Sequence, residues 1–160
     1  MIVVLVLLGA LLACRAIGAL GVQYLDSWIA STRSGLALMF LFTASAHFTT
    51  MKEDLVRMVP PAFPCPRQIV FISGILEILG AIGLLPPSTR PWAGLGLVLL
   101  MIAMFPANVY AARRGLTLRG KSATPLALRL PMQILFITLT WWSSSACRLA
   151  SALEPLCITG

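Results

Sequence analysis

The sequence predicts an all-α, polytopic membrane protein, and its composition and length carry that prediction. The 160 residues are 59% hydrophobic and only 11% charged, whereas soluble globular domains carry about 25% charged residues. Too few polar side chains exist to cover a water-facing surface, and the high hydrophobicity also excludes a disordered chain. Because a membrane-spanning helix needs about 20 residues, residues 1–160 accommodate four or five spans in a single membrane domain.

Apolar segments separated by proline and glycine define the predicted helices. Four prolines between residues 60 and 66 exclude a continuous helix, so residues 58–66 are predicted to form a loop. The segment 86–91 is short enough to make the spans on either side of it an antiparallel hairpin. The predicted spans are residues 1–24, 35–51, 69–85, 92–112 and 126–145.

The first 24 residues are interpreted as a retained span, additional to the four spans that follow. A cleaved signal peptide is the alternative, since residues 11–14 (LLAC) are similar to a lipoprotein cleavage site. However, no basic residue precedes the apolar run, and Arg15 follows directly after Cys14. The domain then comprises this extra span, a core over residues 33–145 and a C-terminal tail over residues 146–160.

Lysine and arginine are divided unevenly between the two sides of the predicted topology. One side carries three basic residues in the segment 52–67 and four in the segment 113–121. The other side carries only Arg33, Arg90 and Arg148. The positive-inside rule makes the richer side cytoplasmic, so we expect the N-terminus inside and the C-terminus outside. The net charge of +7 is read as loop charge facing anionic lipid, and its scatter argues against nucleic-acid binding. Tryptophans near the outer span ends suit an interfacial belt, namely Trp28, Trp92, Trp141 and Trp142.

Polar side chains inside the apolar segments are candidates for function, because they are costly to place in lipid. Four of them fall in the same half of the membrane, and a glutamate lies about two turns into its span from that side. A four-helix bundle would bring such groups together in its core. We therefore predict a ligand-binding or proton-relay site from His47, Glu77, Asn108, Arg129 and Gln133.

The same residues also have a purely structural interpretation. Asn, Gln and His side chains hydrogen-bond membrane helices together at under about 1 kcal/mol per pair, and an ionised Glu77 would have Arg129 as its expected counter-charge. Pro106 and Pro131 lie beside the polar residues, where kinks would open space for a ligand. Three glycines would let the third predicted span pack closely, namely Gly74, Gly80 and Gly83.

No resident cofactor or metal is predicted. The chain has one histidine, and none of its four cysteines lies near it in sequence, which is a poor set of metal ligands. The cysteines form no CxxC motif. Cys147 and Cys157 both fall on the predicted outer side, where an oxidising environment would allow a disulfide between them.

Several segments, in order along the chain, resemble the DoxX-like integral membrane protein family. The resemblance spans about two thirds of the chain, and it implies a four-helix membrane bundle to which residues 1–24 add a span. It also implies a bacterial inner (cytoplasmic) membrane. The matching segments are ALMFLFTASAHF, MVPP followed by IVFISGILEILGAIGLLPPSTR, MFPANVYAA and RLPMQILFITLTWW.

The function implied by the resemblance is that of an accessory subunit of a quinone-linked membrane redox system. The founding member of the family is associated with a quinol oxidase, and related proteins with thiosulfate:quinone oxidoreduction. Nothing in the chain supplies a redox centre, so a bound quinone or a partner subunit would be needed. The expected partners are membrane lipid and either another membrane protein or further copies of the chain.

Other functions rank below this one. A structural or assembly subunit of a larger membrane complex is the second hypothesis. A small transporter ranks third, because the chain lacks an inverted repeat and has one mid-membrane acid. A stand-alone enzyme ranks last, because no catalytic set of nucleophile and base is visible.

Overall fold

Helices account for almost all of the regular structure. The computed structural model describes residues 2–118, 121–122 and 125–153, and the side chains of residues 2–116 and 125–145. A 3-10 turn (Gln23–Leu25) precedes the second helix, and an antiparallel hairpin of β1 (Thr117–Leu118) and β2 (Lys121–Ser122) connects the last two. The helices are α1 (Ile2–Ala19), α2 (Trp28–Ser45), α3 (Lys52–Met58), α4 (Pro66–Gly83), α5 (Arg90–Arg113) and α6 (Leu126–Leu153).

The predicted all-helical class is confirmed, and a long helix overlaps each of the five predicted apolar segments. Within the described residues three helices, α1, α4 and α5, are long and apolar enough to cross a membrane. The other two long helices are more polar. Residues 31–34 of α2 are Ser-Thr-Arg-Ser, and α6 contains Arg129 and Gln133.

The polar start of α2 is enclosed by protein. This helix packs against α1, α4 and α6, and every residue from Ala30 to Ala37 is buried. The helix begins at Trp28 because the hydroxyl of Ser27 caps it by accepting a hydrogen bond from the Ala30 amide at 3.1 Å. The helix therefore extends at its start beyond the apolar stretch that begins at residue 35, through buried polar residues.

Two arginines that the charge count assigns to outer loops are instead buried within helices. Arg33 in α2 donates from Nε to the carbonyl oxygen of Ser143 in α6 at 3.3 Å. Arg90, the first residue of α5, donates to the carbonyl oxygens of Leu84 and Leu85 at 3.4 and 3.1 Å. The end of a helix leaves such carbonyls without helical partners, so Arg90 ties α5 to the end of α4.

Glycine allows α4 and α5 to pack closely. A Cβ atom added at Gly80 would lie 2.5 Å from Cγ of Leu97, and one added at Gly83 would lie 2.9 Å from Cβ of Ala93. Both distances are too short for real side chains. The structure therefore uses these two glycines as the sequence predicts, for close helix contact.

The apolar core lies where α1, α2, α4 and α5 meet. Its members are almost fully buried, and the outward faces of the same helices are also apolar, with Leu79 60% and Leu99 56% exposed. Soluble monomers rarely expose apolar surface so extensively, whereas lipid-facing helices require it. The core consists of Leu7, Leu36, Met39, Phe40, Ala81, Leu84 and Leu97.

We expect Leu36→Ala to lower the free energy of unfolding by about 2–5 kcal/mol, because it leaves a cavity in the core. Leu36 is 0% exposed, whereas Leu38 on the same helix is 50% exposed. Leu38→Ala, the matched control, should therefore change stability much less. Thermal unfolding in detergent micelles, followed by loss of helical circular dichroism, measures both variants. Equal losses for the two variants would contradict the central position of α2.

Candidate functional site

A buried pair of side chains, His47 and Glu77, forms the centre of the site. Nε2 of His47 lies 3.4 Å from Oε2 of Glu77, and the two side chains are only 5% and 10% exposed. The other carboxyl oxygen of Glu77 accepts a hydrogen bond from the hydroxyl of Thr43 in α2. Both oxygens of this buried carboxyl group are therefore satisfied, as burial of a polar group requires.

His47 lies in the turn that follows α2, which ends at Ser45. The prediction that it belongs to the last turn of a helix over residues 35–51 is therefore wrong. The turn places the imidazole against α4, where Nδ1 contacts the carbonyl oxygen of Val70 at 2.7 Å. Phe48, the next residue, packs edge-to-face on Phe71 with ring centroids 5.7 Å apart, which holds the turn on α4.

The neighbours of His47 determine where its protons lie. A carbonyl oxygen can only accept, so the contact with Val70 requires a proton on Nδ1. The contact between Nε2 and Glu77 requires one more proton, carried by either the imidazole or the carboxyl group, because two lone pairs would repel. The pair therefore shares a proton that can move between its members without movement of heavier atoms, which is the chemistry of a proton relay.

Gly74 is what allows His47 to approach α4 so closely. A Cβ atom added to this glycine would lie 2.6 Å from Cβ and 2.9 Å from Cγ of His47, and 3.1 Å from Cε2 of Phe48. Any side chain here would push the turn away from the helix. The third glycine predicted to permit close packing is thus part of the site itself.

A second polar pair joins α5 to α6. Arg129 donates from Nη1 to Oδ1 of Asn108 at 2.8 Å. One turn further along α6, Gln133 donates from Nε2 to the carbonyl oxygen of Met101 at 2.7 Å. Arg129 is the partner that the sequence predicts for an ionised Glu77, but the structure pairs Glu77 with His47 and Arg129 with Asn108.

His47 and Asn108 line the same pocket, which has a volume of about 200 Å³ and lies between α4 and α5 beneath α3. Glu77 stands behind His47, and Arg129 stands behind Asn108. Pro106 is also on the pocket wall, as expected if a helix irregularity opens space there. The polar side chains of the lining are His47, Ser73 and Asn108, and its apolar side chains include Leu55, Met58, Phe63, Ile69, Leu100 and Met104.

Ser73 is a member of the site that the sequence analysis misses. Its Oγ donates to the carbonyl oxygen of Val70 at 2.9 Å and lies 3.3 Å from Nδ1 of His47. Serine is common in membrane helices, so its residue type carries no signal. The position of Ser73 does carry a signal, because Ser73 precedes Glu77 by four residues and therefore lies on the same helix face as Glu77.

The helix α3, which closes one side of the pocket, is also missed. It lies between two predicted spans and is only seven residues long, too short for a clear hydrophobic period. The signal that could identify it is charge, since Glu53 and Asp54 lie in its first turn and Arg57 in its last. This arrangement stabilises a helix through its dipole.

The predicted disulfide lies outside the residues whose side chains the structure describes, since these end at residue 145. Of the cysteines that it does describe, Cys14 is buried in α1 and Cys65 is exposed, and both are free. Among the described residues, no group of three or more His, Cys, Asp or Glu side chains could hold a metal ion.

Comparison with known proteins relates the chain to one family. A family model described as "Domain of unknown function (DUF8561)" matches residues 36–144. The matched region runs from the buried part of α2 to α6 and includes every residue of the pocket and of the two polar pairs. No curated protein and no solved structure matches the chain. The resemblance to the DoxX-like family stays a prediction.

We expect Gly74→Ala to displace His47 and to break its contact with Glu77. The chain has a single histidine, so ¹⁵N-histidine NMR of the purified protein reports on His47 alone. The imidazole nitrogen shifts of Gly74→Ala should move toward those of Glu77→Gln.

Gly96→Ala is the matched control, because Gly96 is also helical and a Cβ atom there would meet nothing within 4 Å. Its histidine spectrum should match that of the wild type. An unchanged spectrum for Gly74→Ala would show that the contact does not depend on this glycine.

Proposed function

The chain belongs to the DUF8561 family, and we propose that it is a small integral membrane protein that binds a quinone head group. In this proposal it serves as an accessory subunit of a quinone-linked redox system in a bacterial inner membrane. All five long helices cross that membrane, with the N-terminus inside and the C-terminus outside. The pocket then opens in the cytoplasmic half of the membrane.

The pocket is the observation that carries the proposal. An apolar cavity of about 150 Å³ holds a benzene ring, and drug-sized ligands occupy about 300–1,000 Å³. A pocket of about 200 Å³ therefore suits one substituted ring. The apolar tail of the ligand would lie outside, along exposed side chains of the pocket rim such as Phe63 and Ile69, which are 47% and 38% exposed.

The polar lining supplies what a quinone head needs. Carbonyl oxygens of a quinone accept hydrogen bonds, and the lining offers Ser73 and Asn108 as donors. Quinones take up protons when they are reduced, and His47 with Glu77 holds a proton beside the pocket. The electrons would come from a redox partner, because the protein part of such a site supplies binding and proton transfer.

The helix contacts support a four-helix bundle with one additional helix. α2 packs on α4, α4 on α5, α5 on α6, and α6 back on α2. This closed order of neighbours is that of a four-helix bundle. α1 packs on the outside of α2. The two helices are close at Gly35, where an added Cβ atom would lie 3.0 Å from the backbone nitrogen of Leu11. α1 then corresponds to the additional N-terminal span.

The distribution of charge supports the orientation. Arg33 and Arg90 on the outer side are buried against carbonyl groups. The exposed positive charge of the outer side is therefore smaller than the residue count assumes, which strengthens the bias toward the pocket side. The four tryptophans are all exposed, between 44% and 72%, as an interfacial belt requires.

A structural or assembly subunit is the second candidate function. It is favoured by the bonds that join α5 to α6, from Arg129 to Asn108 and from Gln133 to the Met101 carbonyl. Such bonds lock membrane helices together whether or not a ligand binds. The two functions differ in what should purify with the protein.

We expect native mass spectrometry of the gently purified protein to detect a bound quinone, and Glu77→Gln to lose it. The substitution removes the proton shared with His47 but keeps the shape of the side chain. Glu53→Gln is the matched control, because Glu53 pairs with Arg67 at 3.1 Å on the exposed surface, and it should retain the quinone. A stoichiometric protein partner with no lipophilic ligand beyond bulk lipid would instead support the assembly subunit.

Filling the pocket should also prevent binding. Ala103 lines the pocket on α5, and we expect Ala103→Phe to weaken binding of decylubiquinone by about tenfold or more, because the added ring competes for the same volume. Leu99→Phe is the control, since Leu99 is one turn earlier on α5 and 56% exposed. Equilibrium titration in lipid nanodiscs measures both. Equal binding by both variants would place the ligand elsewhere.

A further inference from the structure

We infer that Arg129 fixes Asn108 as a hydrogen-bond donor, and that the pocket therefore selects the oxidised carbonyl form of a quinone over the quinol. The inference rests on the proposed quinone site and names the form of ligand that this site prefers. It makes Asn108 the residue that determines specificity and Arg129 a positioning residue that acts through it.

The orientation of the Asn108 carboxamide follows from the chemistry of its neighbour. A guanidinium group carries five N–H donors and no acceptor, so the group facing Arg129 at 2.8 Å must be the carbonyl oxygen of Asn108. The opposite orientation of the amide would set two donors against each other. The NH₂ group of Asn108 is then the group left to serve a ligand in the pocket.

His47 offers a ligand neither a donor nor an acceptor, because both of its ring nitrogens face protein groups. Its Nδ1 proton points to the carbonyl oxygen of Val70 at 2.7 Å, and its Nε2 faces Glu77. The Val70 carbonyl also accepts from Ser73 at 2.9 Å and, as part of α4, from the amide four residues later. Its two lone pairs are thus fully used, and it is not an acceptor for a ligand.

Among the lining side chains that the structure describes, Ser73 is the one that can act in both directions. Its hydroxyl donates to a carbonyl that already has two other donors, so it can turn to donate to a ligand, or it can accept from one. Ser73 therefore does not discriminate between a quinone and a quinol. Discrimination lies with Asn108, which offers a donor only.

A quinone presents two carbonyl oxygens that only accept, and a quinol presents two hydroxyl groups that can accept but also carry a proton to donate. The quinone finds donors at both Ser73 and Asn108. A quinol oxygen can also accept from Asn108, but its proton finds no acceptor there, because Arg129 holds the Asn108 carbonyl oxygen and the Val70 carbonyl is already used. A buried donor left without its acceptor weakens binding by about tenfold or more. The expected preference for the quinone is therefore at least about tenfold.

Asn108→Asp tests the inference by reversing the polarity of one position without changing its shape. Arg129 would still hold one carboxylate oxygen, and the other would present an acceptor to the pocket. We expect this variant to lose the preference for decylubiquinone and to bind decylubiquinol as tightly or more tightly. Gln68→Glu is the matched control, since it makes the same amide-to-acid change at an exposed position of α4, and it should keep the wild-type preference.

Arg129→Gln is the second variant, in case a carboxylate at position 108 prevents folding. A glutamine can face Asn108 with either its oxygen or its nitrogen, so the Asn108 amide would be able to turn. The ratio of the binding constants for decylubiquinone and decylubiquinol should then fall toward one, while binding of decylubiquinone remains. A merely structural role for Arg129 would not produce this result. Anaerobic titration of the full-length protein in nanodiscs with each ligand supplies all the binding constants.

The outcomes separate this inference from the proposed function. Equal binding of both forms by the wild type, or an unchanged preference in Asn108→Asp, would overturn the inference and leave the quinone site standing. Absence of binding of either form would overturn the quinone site itself. A wild-type preference that is lost in Asn108→Asp and retained in Gln68→Glu would establish both.

Discussion

The architecture depends on the enclosure of polar groups inside a largely apolar protein. Burying a polar or charged side chain without partners is costly, and α2 with its following turn carries several such groups into the interior. Arg33 is held by the Ser143 carbonyl, Thr43 donates to Glu77, and His47 meets Glu77 and the Val70 carbonyl. Each of these bonds joins α2 or the turn after it to another helix, so the groups that are costly to bury also determine how the helices are arranged.

The same constraint shapes the pocket. Its two fixed polar groups, His47 and Asn108, are each held from behind by an ionisable residue on a neighbouring helix, Glu77 and Arg129 respectively. Because Arg129 holds the carbonyl oxygen of Asn108, the NH₂ group of Asn108 is the hydrogen-bonding group that remains for a ligand. This is how a small apolar site acquires specificity, since apolar contacts alone distinguish poorly between ligands of the same size. The glycine at position 74 completes the arrangement by leaving room for His47 against α4.

Much of the fold could be predicted because membrane helices leave strong signals in sequence. Apolar runs located the five long helices, and prolines and glycines located their ends. The apolar run does not reach the start of α2, because buried polar residues precede it, and the short helix α3 was not predicted. Four of the five candidate site residues lie in the two polar pairs around the pocket, while Gln133 bonds to a backbone carbonyl. Ser73 was missed because a serine in a membrane helix is not unusual in itself.

The sequence by itself determined the class of protein, the positions of the long helices and the identity of the polar residues that are costly to bury. These follow from local composition and from the energy of placing each side chain in lipid, which do not depend on distant parts of the chain. Only the tertiary structure decided which polar groups meet. Glu77 faces His47 and not Arg129 because Gly74 admits the turn after α2 to the face of α4. Such pairing depends on differences of a few tenths of an ångström in the distances between helices. These distances are set by packing between residues that are far apart in sequence.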